Sequence, residues 1–250
     1  MLALAGTASA GTIRVTAEDA GNQRLRVGYE VTSGSTLPVG FGLDITLGNE
    51  ATFQNVASVS SYFPIYPGTV VINPGTGEID DYGTPIAPPV APGSLGSLGT
   101  SGVTVEMGAI GNPLQAPLDP RDFNADALID NLDLAIFVEQ WLMSDGPPFV
   151  DLNADGLVDF WDYGIFVDGR YDVPPLAVGE LLLLELEGNG AITTTVTITE
   201  NLIRGGIVNS EGMEFDVILP DPITVVVPEP ATLLLLGLGG LALMRNRRFR

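Results

Sequence analysis

From Val39 to Leu47 every second side chain is apolar: Val39, Phe41, Leu43, Ile45 and Leu47, with Gly40, Gly42, Asp44 and Thr46 between them. Successive side chains of an extended strand point to opposite faces, so a period of two specifies a half-buried β-strand. Leu25, Val27, Tyr29 and Val31 repeat the pattern, with Arg24, Arg26, Gly28 and Glu30 in the intervening places. It returns at Val103, Val105 and Met107. After residue 175 it returns in Leu181–Leu186, Ile192–Ile198, Ile203–Val208 and Met213–Leu219, with Phe215 and Val217 in phase. The Gly- and Pro-rich stretch Pro64–Gly102 reads as loop. Regularly spaced strands with turn signals and no βαβ rhythm imply a mainly β chain of two packed antiparallel sheets.

Residues 118–172 break this pattern in composition and period and form a separate module. Strand-like sequence on both sides makes that module an insertion in one sandwich, with residues 11–117 as its first part and 173–225 as its second. Two consecutive β domains remain the open alternative. Their weakness is size, because 173–225 alone would be a very small cysteine-free domain with a thin core.

The chain of 250 residues carries 31 Asp plus Glu against 10 basic residues, all Arg, for a net charge of −21, with no His and no Cys. These absences exclude Ser-His-Asp and Cys-His nucleophile pairs, His-ligated zinc or haem, and disulfides. Phosphate backbones would repel so acidic a chain, so no nucleic-acid partner is expected. A hydrophobic share of 45% excludes disorder throughout.

The acids are concentrated in two twelve-residue loops of identical spacing, Asp122–Asp133 and Asp151–Asp162. A hard cation such as Ca2+ takes six to eight oxygens at about 2.3–2.6 Å, and a tight loop supplies them from positions 1, 3, 5, 7, 9 and 12. In the first loop these are Asp122, Asn124, Asp126, the Leu128 carbonyl, Asp130 and Asp133. In the second they are Asp151, Asn153, Asp155, the Leu157 carbonyl, Asp159 and Asp162. Two Ca2+ sites are therefore expected. Position 6 favours glycine for its sharp turn; the second loop has Gly156 but the first has Ala127, so the second site is expected to bind more tightly.

The paired Asp-Xaa-Asn-Xaa-Asp loops, each followed by an apolar helical stretch, resemble type I dockerin modules with EF-hand-type loops. The resemblance covers about Asp119 to Arg170. It implies one helix from about Leu132 to Met143, with Leu134, Phe137, Val138, Trp141 and Leu142 as core. A second helix follows Asp162, with Tyr163, Phe166 and Val167. Dockerins usually recognise partners through loop positions 10 and 11, often small hydroxyl residues. Here Asn131 with Leu132 and Phe160 with Trp161 stand there, which suits packing against the host sandwich instead. The β segments in turn resemble cohesin-like, immunoglobulin-like β-sandwich domains: Gly42–Leu47 is similar to an early strand, and Glu180–Gly188 with Thr193–Ile198 to a final hairpin.

At the C-terminus, Val227-Pro228-Glu229-Pro230 precedes the apolar stretch Ala231–Met244 and then Arg245, Arg247, Arg248 and Arg250. The positive-inside rule puts such an Arg cluster on the cytoplasmic side. A transmembrane helix of these residues is about 21 Å long and spans only marginally. This three-part arrangement over residues 227–250 resembles the PEP-CTERM sorting signal, which implies a temporary anchor and an exosortase-type membrane protease as partner. At the other end, residues 1–10 close with Ala8-Ser9-Ala10, the A-x-A form of a signal-peptide cleavage site.

These readings converge on an exported, non-enzymatic protein, transiently membrane-anchored and then placed on the cell surface or in the extracellular matrix of a Gram-negative-type bacterium. Extracellular polysaccharide or surface proteins are its expected partners. The runner-up is a dockerin/cohesin-type carbohydrate-associated assembly module, which calls for an exposed aromatic patch such as Tyr62, Phe63 and Tyr66. A glycoside hydrolase needs an acid pair outside the calcium loops, and none stands out.

Overall fold

The structure is a computed structural model that describes residues 9–48, 51–144, 149–170, 176–188 and 192–227. Its elements in chain order are β1 (Thr12–Gly21), β2 (Arg24–Ser33), β3 (Pro38–Leu47), β4 (Ala51–Val59), β5 (Val71–Ile72), β6 (Ile79–Asp81), β7 (Gly102–Gly108), β8 (Leu114–Gln115) and β9 (Leu128–Ile129). Helices α1 (Asn131–Glu139) and α2 (Phe160–Val167) follow. The chain then returns to strands: β10 (Val178–Gly188), β11 (Ile192–Glu200), β12 (Ile207–Asn209), β13 (Asp216–Ile218) and β14 (Ile223–Val227).

One sheet has the order β13-β1-β2-β10-β4. The other has β12-β3-β11-β14, with β7 along the opposite edge of β3. The alternation sets which side chains face inward: Leu25, Val27 and Tyr29 of β2 are buried, as are Phe41, Leu43 and Ile45 of β3. The sheets meet face to face, the Tyr29 ring of the first lying 5.1 Å from the Phe41 ring of the second. Phe63 completes the cluster at 4.9 Å from Phe41. This is the arrangement of a β-sandwich. On the outer face of the first sheet, Arg14 pairs with Glu30, Arg24 with Glu185, and Arg26 with both Glu18 and Glu180. These pairs are exposed and contribute little to stability.

Strands from both sides of residues 118–172 interleave. β10 lies between β2 and β4, and β11 between β3 and β14. The two segments likened to a final hairpin, β10 and β11, thus belong to different sheets and do not pair with each other.

Several elements differ from the pattern reading. β1, β4 and β14 are strands that strict alternation does not mark. Ile203–Val208 is not one strand: the Asn201 side chain accepts the Ile203 N–H at 3.1 Å, and Gly205 and Gly206 take φ of 78° and 65°. The chain therefore turns through a single 3₁₀ turn before β12. Met213–Leu219 shortens to β13, because the Asn209 side chain accepts the N–H groups of Glu211 and Met213 and holds 209–213 as a turn. Pro64–Gly102 is loop apart from the short hairpin β5–β6, yet it lies over the edge strand β7, with Ile65 bridging Gly108 and Ile86 bridging Val105. Phe63 and Tyr66 are consequently buried, at 0% and 5% exposure, and make no exposed aromatic patch.

Candidate metal centre

Each acidic loop is closed by its own carboxylates. In the first, Asp122 accepts the N–H groups of Asp126 at 3.0 Å and Ala127 at 2.8 Å. Asn124 accepts that of Asp126, and Asp126 that of Leu128. Asp133, from the first turn of α1, reaches back to the N–H groups of Phe123 at 2.6 Å and Asn124 at 3.2 Å with one oxygen and of Asp130 at 2.9 Å with the other. Asp130 accepts the Leu132 N–H and caps α1, forming a reciprocal capping box with Asp133.

The second loop repeats these bonds. Asp151 accepts from Asp155 at 3.2 Å and Gly156 at 2.9 Å, Asn153 from Asp155, and Asp155 from Leu157. Asp162 accepts from Leu152 at 2.6 Å, Asn153 at 3.0 Å and Asp159 at 3.1 Å, while Asp159 accepts from Trp161 and caps α2 in the same box. Position 6 adopts a left-handed φ in both, 70° at Ala127 and 95° at Gly156. Ala127 carries the steric cost of that conformation and Gly156 does not.

The loops differ in burial. Asp133 is buried in the first, whereas Asp159 and Asp162 are both buried in the second. Burial pushes the Asp159 carboxyl up to about 7, against the Trp161 N–H, with Asp162, Asp155 and Asp151 adding repulsion. Burial likewise pushes Asp162 up to about 6 and raises Asp133. Among the described residues, no three His, Cys, Asp or Glu side chains are gathered as a ready-made metal cluster. The loop carboxylates instead face backbone N–H groups. The donor set still fits a hard cation: each loop offers carboxylate, amide and carbonyl oxygens with no nitrogen or sulfur ligand. The second loop holds carboxylates in a partly dry setting where a positive charge would relieve their repulsion.

Both helices share an aromatic core in which Phe137 stacks on Phe166 at 5.3 Å and Trp141 meets Phe160 edge-on at 5.0 Å. α1 is shorter than the pattern implied, ending at Glu139, although Trp141 and Leu142 are buried beyond it. The same aromatics seat the module on the sandwich. Phe160 lies over Gly40 of β3, where an added Cβ would come within 2.4 Å of the ring. Tyr163 lies over Gly108 and donates its hydroxyl to the Ala109 carbonyl at 2.5 Å. Trp161 donates its indole N–H to the Gly205 carbonyl at 2.9 Å. Leu132 of the first loop packs near Gly77. All four residues at positions 10 and 11, with Asn131 beside Leu132 at Gly77, thus lie against the rest of this chain.

A buried ion pair not singled out in the sequence lies at the joint. Glu106 of β7 pairs with Arg204 in the turn before β12, their side chains 2% and 0% exposed. Glu106 also accepts the Trp141 indole N–H at 3.2 Å and the Gly68 N–H at 3.2 Å, and Arg204 donates to the Pro92 carbonyl and the Ser94 hydroxyl. One signal for it was present: Glu106 is a lone acid within an apolar run, and Arg204 one of few cations in an acidic chain.

At the N-terminus, Ala10 is held by the body. Its N–H donates to the Glu214 carbonyl at 2.9 Å and its own carbonyl accepts from Thr36 at 2.8 Å. Of the sorting residues, Val227 is the buried end of β14, while Pro228, Glu229, Pro230 and the apolar segment expected to span the membrane lie outside the described residues. No helix among the described residues is long and apolar enough to cross a membrane.

No curated protein and no solved structure matches the chain. Residues 226–248 match the PEP-CTERM protein-sorting motif, the signal of an exported chain handled by an exosortase-type membrane protease.

Proposed function

We propose that this chain is an exported, non-enzymatic surface or matrix protein in which residues 118–172 form a calcium-stabilised module inserted in a β-sandwich. The observation that carries this reading is the bond-for-bond repetition of the two loops. Twelve residues of the same spacing, 29 positions apart, close on the same backbone N–H groups although most of their remaining side chains differ. Ca2+ in the first loop would be held by Asp122, Asn124, Asp126, the Leu128 carbonyl, Asp130 and Asp133. In the second the holders would be Asp151, Asn153, Asp155, the Leu157 carbonyl, Asp159 and Asp162. The ion supplies positive charge that offsets the repulsion among these acids. The chain's residues supply the loop, the helix caps and the seat on β3. Because Ca2+ would bind only the folded loops, it stabilises the whole joint.

The seat disfavours docking to another protein through loop positions 10 and 11. Phe160 is fully buried and the Trp161 indole N–H is spent on Gly205. After sorting, the sandwich faces and loops are the surfaces left for polysaccharide or surface proteins. Calcium titration by calorimetry on the chain and its Asp122→Asn and Asp151→Asn variants tests the reading. Two binding events are expected in the parent and one in each variant. Absence of binding in the parent refutes it.

A further inference from the structure

The last strand fixes how the folded body stands relative to the membrane. β14 pairs with β11 through Val227, which is opposite Ile192. Only Pro228, Glu229 and Pro230 then separate the sheet from the apolar stretch that starts at Ala231. The four steps from Val227 to Ala231 span at most about 14 Å. While the chain is anchored, this end of the sandwich therefore stays within about 14 Å of the apolar segment.

The register shows what else lies at each end. Ile192 is four residues before Val196, which is opposite Leu47 at the end of β3. The same end carries the β1–β2 turn at Asn22 and Gln23, the start of β4 and the close of β10, with Glu187 opposite Thr52. Asp19 beside that turn accepts the Val226 N–H at 3.3 Å. The calcium-loop module sits at the other end: Phe160 lies over Gly40, and Tyr163 over Gly108, which is opposite Gly40. Gly40 is seven residues before Leu47 along β3, and Val227 lies four residues beyond it. At about 3.3 Å per residue, the module's seat and the end of β14 are separated by about 35 Å.

We propose that in the anchored form the end bearing Asn22, Gln54 and Glu187 lies on the phospholipid headgroup layer, and that the calcium-loop module is held at the membrane-distal end. The proposal rests on the sorting signal acting as an anchor and is independent of calcium binding. The tether is less than half of the body's length, so it restricts the body to tilting about that end. The net charge of −21 opposes lying flat on an anionic surface.

The absence of native cysteine makes single labels straightforward. Full-length Glu187→Cys, Gln54→Cys and Leu118→Cys, all at exposed positions, are labelled with a fluorophore. Each is reconstituted in phosphatidylethanolamine–phosphatidylglycerol vesicles carrying a short-range headgroup quencher. Loss of emission at positions 187 and 54, with emission at 118 retained, is expected. Equal loss at all three, or greater loss at 118, overturns the proposal. Failure of the chain to float with the vesicles overturns the anchor reading and the orientation with it.

Discussion

If the loops hold calcium as proposed, position 6 is where a single methyl group would set affinity. Ala127 pays for its φ of 70°, whereas Gly156 reaches 95° freely. Replacing Ala127 with Gly is expected to tighten the first site, and Gly156→Ala to weaken the second, each by about 1 kcal/mol or roughly fivefold in calcium affinity. Calorimetry on variants that retain one site reads this directly. Buried acids set the response to pH. Burial holds Asp159 and Glu200 up near about 7 and Asp162 near about 6. Their folded values exceed the unfolded ones, so their stabilisation is full below about pH 4 and lost as pH rises to about 7. Denaturant unfolding in chelator should thus show lower stability at pH 8 than at pH 5. Calcium should shrink that difference to what Glu200 contributes, because it keeps the loop acids ionised.

The shared form of the two loops is legible in the sequence because the same Asp and Asn positions accept the same backbone N–H groups in both; what lies between and beyond the loops is less so. The core strands β2 and β3 follow from alternation: β2 has one buried face and one more exposed, and in β3 the second face carries Gly40 and Gly42, whose lack of side chains keeps the period of two although Phe160 and Arg204 cover them. β4 escaped because only Ala51 and Phe53 of it are buried, and β7 shows how a strand covered on both sides reads as a short run. The start of the expected strand Ile203–Val208 is a turn instead, because Ile203 is exposed while Arg204 goes inward. A lone Glu106 in an apolar run hints at a buried acid, but no sequence pattern joins it to Arg204, 98 positions away. At this scale the joint between module and sandwich is the element to break. Phe160→Ala is expected to cost about 3–5 kcal/mol, through the lost ring and the cavity left over Gly40. Glu106→Leu should cost a similar amount, about 3–5 kcal/mol, because Arg204 would remain buried without its partner. Chemical denaturation with calcium present measures both. A loss below about 1 kcal/mol in either variant would show that the contact is not structural.

As a whole, the molecule divides its labour along one axis. β14 leads into the sorting signal at one end, the sandwich forms the body, and the module with the two acidic loops closes the other end over Gly40 and Gly108. The sandwich depends on strands from both sides of the module, with β10 between β2 and β4, so module and sheets are expected to unfold together. The measurement that tests this most directly is thermal unfolding followed by β-sheet circular dichroism, with calcium and then with excess chelator. A single transition whose midpoint falls when calcium is withdrawn is predicted. A β-sheet transition unmoved by chelator, with or without a separate minor transition that does move, would contradict it.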